Sequence, residues 1–106
     1  MKHSDMVRFI DNIVFPEIIE TRDSGQKEYA QNVDNVFANF ERIGKLLNIS
    51  REKVLLTYLL KHTEGIVSYV NGHESHREPI EGRIKDSMVY LSLLRAMLYE
   101  NKEQDE

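Results

Sequence analysis

Apolar residues recur every three to four positions along most of the chain, and this spacing limits what the chain can fold into. The longest run places its apolar residues, with one histidine among them, on a single helical face: Leu55, Tyr58, Leu59, His62, Ile66 and Tyr69. No segment shows the two-residue alternation that is typical of a half-buried strand. The sequence therefore predicts an all-α fold, a small helical bundle of about four main helices.

Capping and turn residues predict the limits of the first helix. We expect it to run from about Asp5 to Thr21, with Ser4 as its N-cap and a kink or restart at Pro16. The composition of Arg22–Gln26 predicts a turn. The segment Lys27–Asn35 fits either a loop or an irregular helix.

Three further helices follow from the same signals. The second is predicted from about Asp34, its expected N-cap, to Leu47, and Asn48 suits its C-terminal end. The third begins after Ser50 and stops at Asn71-Gly72, and a polar loop, Gly72–Arg77, leads to the fourth. Glu78-Pro79 begins the fourth helix. The apolar stripes predicted to face the core are Val36, Phe40, Ile43 and Leu47 in the second helix, and Ile80, Ile84, Met88, Leu91, Leu94 and Leu98 in the fourth.

Size and charge narrow the class of protein. A chain of 106 residues fits one domain, 1–106, near the lower limit for an adequate core, so we expect copies of it to associate. A net charge of −4 disfavours binding to duplex nucleic acid, and residues 99–106 form an acidic tail. The absence of cysteine excludes disulfides and thiolate metal sites. No apolar run approaches the roughly 20 residues of a membrane span, so we expect a soluble, cytoplasmic protein.

Two polar residues interrupt the apolar stripe of the third helix. Lys61 and His62 lie about 100° apart on the helix, with His62 on or beside the stripe and Lys61 at its edge. They are candidates for binding a ligand. The alternative is a histidine at the edge of the core, hydrogen-bonded to a neighbour, beside a lysine that reaches solvent.

The fourth helix carries a second polar set. Arg83, Asp86 and Tyr90 are spaced i, i+3, i+7, which aligns them on a face separate from the predicted apolar stripe. They would contribute to the same ligand site. The alternative is a surface ion pair between Arg83 and Asp86.

A third set precedes and enters the second helix. Tyr29 and Asn39 are polar or aromatic candidates, although asparagine is also common in turns and caps. Phe37 falls off the centre of the stripe, where it would either stack on a base or join a contact between subunits.

These sets, in order, resemble a known family. The runs D34-N35-V36-F37-A38-N39-F40, Y58-L59-L60-K61-H62 and R83-I84-K85-D86, ending in V89-Y90, are similar to small phage proteins of the first nucleotide-modification-associated domain type. The resemblance covers residues 22–98. It departs at Val89, where the family often has asparagine.

The resemblance implies an all-α fold, a phage or prophage origin and a link to nucleotides. It points to these matching positions: Tyr29, Asn39, Phe40, Lys61, His62, Arg83, Asp86 and Tyr90. The family is in turn distantly similar to MazG-like all-α nucleotide pyrophosphohydrolases. The expected setting is the cytoplasm of an infected or lysogenic bacterium.

The arrangement of acidic residues bears on whether the protein is an enzyme. A Mg²⁺-dependent pyrophosphohydrolase needs converging carboxylates, which MazG-like enzymes supply as Glu-Glu-x-x-Glu and Glu-x-x-Asp. We expect neither pattern, because Glu52 and Glu64 in the third helix are more than three turns apart, and Glu81 and Asp86 in the fourth are five residues apart. No catalytic residue, metal site or cofactor is predicted.

The predicted function is binding of a nucleotide or nucleotide-derived signal without turnover, with sequestration of a host immune signal as one use of such binding. One alternative is a MazG-like pyrophosphohydrolase, which would use Mg²⁺. Another is an inhibitor that acts by direct contact with a protein. The expected partners are a nucleotide-like small molecule and further copies of the chain, with no membrane.

Overall fold

The chain is helical throughout most of the part that the structure describes. The structure is a computed structural model that describes residues 1–29, 34–74 and 78–104, and the side chains of all of these except 26–29. The helices are α1 (His3–Phe9), a π-helical segment (Ile10–Val14), α2 (Phe15–Tyr29), α3 (Ala38–Leu47), α4 (Arg51–Val70) and α5 (Ile80–Gln104). These ranges contain no strand, which confirms the all-α prediction. No helix within them is both long enough and apolar enough to cross a bilayer.

The N-terminal helix is longer than predicted and is wound differently around its proline. Pro16 has no N–H to give to the carbonyl four residues earlier. The turn before it widens, and the Phe15 N–H donates to the carbonyl of Ile10, five residues back. The predicted N-cap Ser4 is wrong, because the helix begins at His3 after Lys2 without a side-chain cap.

The predicted turn at Arg22–Gln26 is also wrong, since α2 continues through it. Arginine and glutamine favour helix, and the one glycine in this segment, Gly25, costs only about 1 kcal/mol of helix stability. Parts of the ambiguous segment Lys27–Asn35, of the predicted loop Gly72–Arg77 and of the predicted acidic tail lie outside the described residues.

The start of α3 differs from the prediction, whereas its end agrees. Asp34 is not the N-cap. Instead, the side chain of Asn35 accepts a hydrogen bond from the Phe37 N–H at 3.0 Å and closes a turn ahead of the helix. Asn48 ends α3 in the left-handed conformation, with φ of 58°, as expected.

Two local features, a helix cap and a buried glycine, shape the connection between α3 and α4. The Ser50 hydroxyl accepts a hydrogen bond from the Lys53 N–H at 3.2 Å, which confirms Ser50 as the N-cap. Gly44 is buried where the chain turns back, and a Cβ there would lie 2.7 Å from the carbonyl oxygen of Ile49. A backbone atom cannot easily yield, so this connection requires glycine at position 44. After α4, Gly72 adopts a φ of 94°, as a helix-ending glycine does.

The rotation of α5 is the main departure from the sequence prediction. Ile84, Leu91 and Leu98, which were predicted to face the core, are exposed, whereas Leu94 of the same predicted stripe packs against the core. Met97 is fully buried instead, and Leu93 packs against the core beside it. Both faces of α5 carry apolar residues, so periodicity identifies the helix without selecting its buried face.

The core is small and lies where α3, α4 and α5 meet. The described residues that are both apolar and buried are Phe37, Phe40, Val54, Leu55 and Met97. By contrast, α1 and the π-helical segment contain no buried residue.

A nearly buried arginine holds these helices together. Arg51 donates hydrogen bonds to Glu41 in α3 at 3.2 Å and to Glu100 and Asn101 in α5 at 2.8 Å each. Its guanidinium also lies 4.8 Å from the ring centroid of Phe37. The Arg51 side chain is only 13% exposed, whereas Glu100 is 47% exposed, so water screens the contact with Glu100 in part.

We expect Arg51→Ala to lower the free energy of unfolding by about 2–3 kcal/mol, because it leaves several acceptors without their shared donor. Arg51→Lys should restore only part of the loss, since an ammonium group cannot fork between helices. Urea denaturation at one fixed protein concentration measures both changes. Arg8→Ala is the control, because Arg8 pairs with Asp5 on the surface and should matter by less than about 0.5 kcal/mol. Equal losses for the two alanine variants would contradict the role given to Arg51.

Candidate functional site

A cleft of about 700 Å³ lies between α2 and α3 on one side of the α4–α5 pair. α2 lines it between Glu17 and Gly25, α5 lines it between Lys85 and Leu93, and Tyr58 reaches it from α4. The volume is within the range of about 300–1,000 Å³ that small-molecule sites occupy. We call this feature the cleft.

Aromatic rings form one wall of the cleft. Phe40 of α3 meets Tyr58 of α4 edge to face, with ring centroids 5.9 Å apart. Tyr58 in turn stacks on Tyr90 of α5, with centroids 6.1 Å apart and planes inclined by 15°. These three rings, the aromatic ladder, run across three helices and give the cleft an apolar surface against which a flat ring can pack.

The rim of the cleft is polar and on balance acidic. Its carboxylates are Glu17, Glu20, Asp23 and Asp86, and its cations are Arg22 and Lys85. Arg22 is already paired with Asp23, at 2.9 Å. The cleft therefore favours a ligand of low negative charge over a bare polyphosphate.

Two amides add hydrogen-bonding groups to the rim. Asn39 accepts a hydrogen bond from Arg42 at 2.7 Å, and Asn35 donates to Glu41 at 3.1 Å. Each of these bonds uses only part of an amide's capacity, which is two donors and one acceptor oxygen. Asn39 uses only its oxygen in this bond, whereas Asn35 uses its NH2 group toward Glu41 and its oxygen to accept from the Phe37 N–H.

A histidine lies behind this wall, next to the rim carboxylate Asp86. His62 Nε2 is 3.9 Å from Asp86 Oδ2, and the His62 ring lies 5.5 Å from that of Tyr90. Burial raises the pKa of Asp86, against the opposing effect of His62. His62 Nδ1 is buried and has no hydrogen-bond partner among the described residues. His62 thus supports two residues that line the cleft without lining it itself.

The structure brings together part of the site proposed from sequence. Asn39, Asp86 and Tyr90 all line the cleft, and His62 contacts the last two. The side chain of Tyr29 lies outside the described residues.

Three other candidates lie away from the cleft. Lys61 is exposed on the surface of α4. Arg83 lies over Gly65, and its Nε is 3.8 Å from a carboxylate oxygen of Glu78. Arg83 therefore pairs with Glu78, and the alternative surface pair of Arg83 with Asp86 is not formed. Phe37 is 3% exposed beneath Arg51, so its ring is not available at the surface.

Sequence reasoning missed the contribution of α2. The acidic residues that α2 contributes to the cleft, Glu17, Glu20 and Asp23, are spaced i, i+3, i+6. Glu20-Thr21-Arg22-Asp23 is also a Glu-x-x-Asp run. The expectation that the sequence lacks the Glu-x-x-Asp pattern of MazG-like enzymes was therefore wrong. The signal was overlooked because this stretch was assigned to a helix end and a turn. Among the described side chains, those of residues 1–25, 34–74 and 78–104, no three acidic or histidine side chains are grouped so that they could hold one metal ion.

Comparison with protein-family models, with curated proteins and with solved structures finds no match to this chain. The resemblance to the phage family therefore stays a prediction, and the function is argued from the cleft itself.

We expect Asp86→Asn to raise the melting temperature at pH 8 by about 2–4 °C and to leave it unchanged near pH 3. The folded-state pKa of Asp86 is raised above its ordinary value of 3.8. Its contribution to stability is therefore fully present below that value and is lost as the pH rises through the folded pKa. Asparagine keeps the shape and removes a charge that is about one-third exposed, with the Asp86 side chain at 34%.

Differential scanning calorimetry at the two pH values measures the change, with Glu64→Gln, an exposed substitution on α4, as the control. A lower melting temperature for Asp86→Asn at pH 8 would mean that pairing with His62 outweighs burial.

Proposed function

We propose that the protein binds a nucleotide or nucleotide-derived small molecule in the cleft and does not turn it over. The observation that carries the proposal is the aromatic ladder, which lines a cleft of small-molecule size beside two amides. The phage setting implied by the sequence resemblance would make such binding a means of sequestering a host signal.

The base would pack against the ladder. Tyr90 is stacked on Tyr58, and both rings line the cleft, so a base in the cleft would lie against this pair of rings. Stacking of a base on an aromatic side chain contributes about 1–3 kcal/mol. Asn39, at the rim, supplies donor and acceptor groups of the kind that read the edge of a base.

The phosphate would lie toward the cations of the rim. Lys85 and Arg22 line the cleft, whereas Lys61 and Arg83 do not. The predicted contribution of Lys61 and Arg83 to the ligand site therefore receives no support from their positions. With the carboxylates nearby, a nucleoside monophosphate or a cyclic nucleotide suits the cleft better than a triphosphate.

Binding without turnover is supported by how the acidic groups are arranged. Metal-assisted hydrolysis of a phosphoanhydride requires carboxylates that converge on the ions. Of the α2 acids, Asp23 pairs with Arg22, and Glu20 is exposed at the rim. The Glu-x-x-Asp run nevertheless keeps the pyrophosphohydrolase as the alternative that the experiment must separate.

We expect Tyr90→Ala to weaken nucleotide binding at least about tenfold, because it removes the ring surface on which the base would stack. Tyr90→Phe should bind within about twofold of the parent, since it retains that ring. Tyr69→Ala, on the exposed face of α4, is the matched control and should bind like the parent. Calorimetric titration against nucleosides, monophosphates, cyclic nucleotides, triphosphates and ADP-ribose measures these affinities, with circular dichroism to verify folding.

The same panel separates binding from hydrolysis. After incubation with Mg²⁺, heat denaturation should release the ligand chemically unchanged. Repeated conversion that is lost in Glu20→Gln would establish the hydrolase instead. Failure of every compound in the panel to bind would overturn the proposed function and leave direct contact with a protein as the remaining hypothesis.

A further inference from the structure

We propose that the N-terminal helix binds the same helix of a second copy of the chain, so that the two run antiparallel across a two-fold axis. The contact surface lies on the part that precedes Pro16, which is α1 and the π-helical segment. We call it the N-terminal stripe and define it by these residues: Met6, Phe9, Ile10, Ile13 and Val14.

The N-terminal stripe has the spacing of a helix face that packs against a core. From Met6 its members fall at i, i+3, i+4, i+7 and i+8, the pattern by which an amphipathic helix buries one side. Neither α1 nor the π-helical segment contains a buried residue, however. Phe9 is 48% exposed and Ile13 is 45% exposed. The stripe therefore has the composition of a buried face, yet the single chain does not bury it.

The contacts between helices explain why the stripe stays uncovered. Among the described helices, α4 packs closely on α5 and on α3, and α2 packs closely on α5. α1 and the π-helical segment make their close contacts with the adjoining turns of the same long helix. Helices in proteins owe most of their stability to the packing of an apolar face. Residues 3–14 therefore need a partner.

The exposed area of the chain is large enough for a partner of its own size. The chain exposes 8349 Å², whereas a folded monomer of 12.5 kDa exposes about 6200 Å². The excess, about 2100 Å², is within the range of roughly 1,000–2,500 Å² per chain that obligate dimers bury. The area gives the size of the contact, and burial gives its place. α4 and α5 already bury one face each, at Leu55 and Met97, whereas α1 buries none.

The charges near the stripe argue against a membrane as the partner. An amphipathic helix that lies on an anionic membrane carries an excess of lysine and arginine on its polar side. Within residues 1–14, the cationic side chains of Lys2 and Arg8 are balanced by Asp5 and Asp11. Arg8 is also already paired with Asp5. The segment therefore lacks the charge that would hold it on such a surface.

A second copy matches the stripe at both ends. Lys2 precedes Met6 by four residues and Glu17 follows Ile13 by four, so a cation borders the stripe at one end and an acid at the other. When two copies pair antiparallel about the middle of the stripe, Met6 of each lies opposite Ile13 of the other. Lys2 of each then lies near Glu17 of the other. A two-fold axis therefore matches both the apolar and the charged positions with one sequence.

Mass measurement tests the proposal first. Light scattering at about 20 µM should give a mass of two chains for the parent. Phe9→Glu combined with Ile13→Glu should raise the dissociation constant at least about a hundredfold, because each copy would bring two unpaired charges into an apolar contact. Neither side chain is buried in the single chain, so circular dichroism should show a folded variant. A monomeric parent, or an unchanged dimer in this double variant, overturns the proposal.

Phe15→Glu combined with Ile19→Glu is the matched control. It changes the same two residue types at the same spacing on the same long helix, and Phe15 is 52% exposed and Ile19 50% exposed. Phe15 lies two residues beyond Ile13, which corresponds to about 200° of helix, so this pair faces away from the stripe. The control should keep the dissociation constant within about threefold of the parent. Equal loss of the dimer in both double variants contradicts the stripe as the contact.

Cross-linking keeps the test valid if the charged variant fails to fold. The chain contains no cysteine, so Met6→Cys and Ile13→Cys each introduce a single thiol. In an equimolar mixture under mild oxidation, antiparallel pairing should join unlike chains in preference to like chains, because like positions lie about 10 Å apart along the axis. Ile19→Cys should remain uncoupled. Preferential joining of like chains, or coupling no greater than that of Ile19→Cys, refutes the antiparallel contact.

Two other outcomes would assign a different surface or a different partner. α4 carries exposed apolar residues of its own, with Leu60 58% exposed and Val67 53% exposed. A dimer that Leu60→Glu dissociates and that Phe9→Glu/Ile13→Glu leaves intact would place the interface on α4 and overturn the proposal. A monomer that co-sediments with vesicles of anionic phospholipid would assign the stripe to a membrane and also overturn it. These measurements use no nucleotide, so they are independent of the proposed function.

Discussion

The hydrogen bonds of Arg51 determine how the longest helix is oriented. Arg51 begins α4 and reaches the carbonyl oxygen of Met97 and the side chains of Glu100 and Asn101 on α5. The amide of Asn101 also donates to Glu52 at 2.8 Å, and this bond, with burial opposing it, lowers the pKa of Glu52. A helix is stiff over several turns, so fixing one end about its axis fixes the direction of side chains at the other end.

This rotation has opposite consequences on the two sides of α5. It turns Tyr90 and Asp86 toward α4 and the cleft, where burial raises the pKa of Asp86 and the nearby His62 offsets only part of that effect. It also turns Leu91 and Leu98 out of the core. The same contacts therefore account both for the polar and aromatic side chains that line the cleft and for the apolar side chains of α5 that are exposed.

The cleft illustrates why only part of the site was accessible to sequence reasoning. Asp86 and Tyr90 are four residues apart on one helix, so their common face follows from helical geometry. Glu17 joins them only because α2 packs on α5, which nothing in the local sequence indicates. Lys61 is adjacent to His62 in sequence, yet it is exposed while His62 is largely buried, because adjacent helical residues point about 100° apart.

What the sequence by itself determined is local: helices throughout the predicted bundle, the Ser50 cap, the left-handed Asn48 and the stop at Gly72. Each of these depends on backbone preferences and hydrogen bonds that span no more than a few residues. The tertiary structure alone decided which face of α5 is buried and that α2 completes the cleft. The rotation of α5 rests on contacts between residues about 50 positions apart in the sequence, such as Arg51 with Asn101. Hydrophobic burial could not select the buried face of α5, because it has no direction and both faces of the helix are apolar.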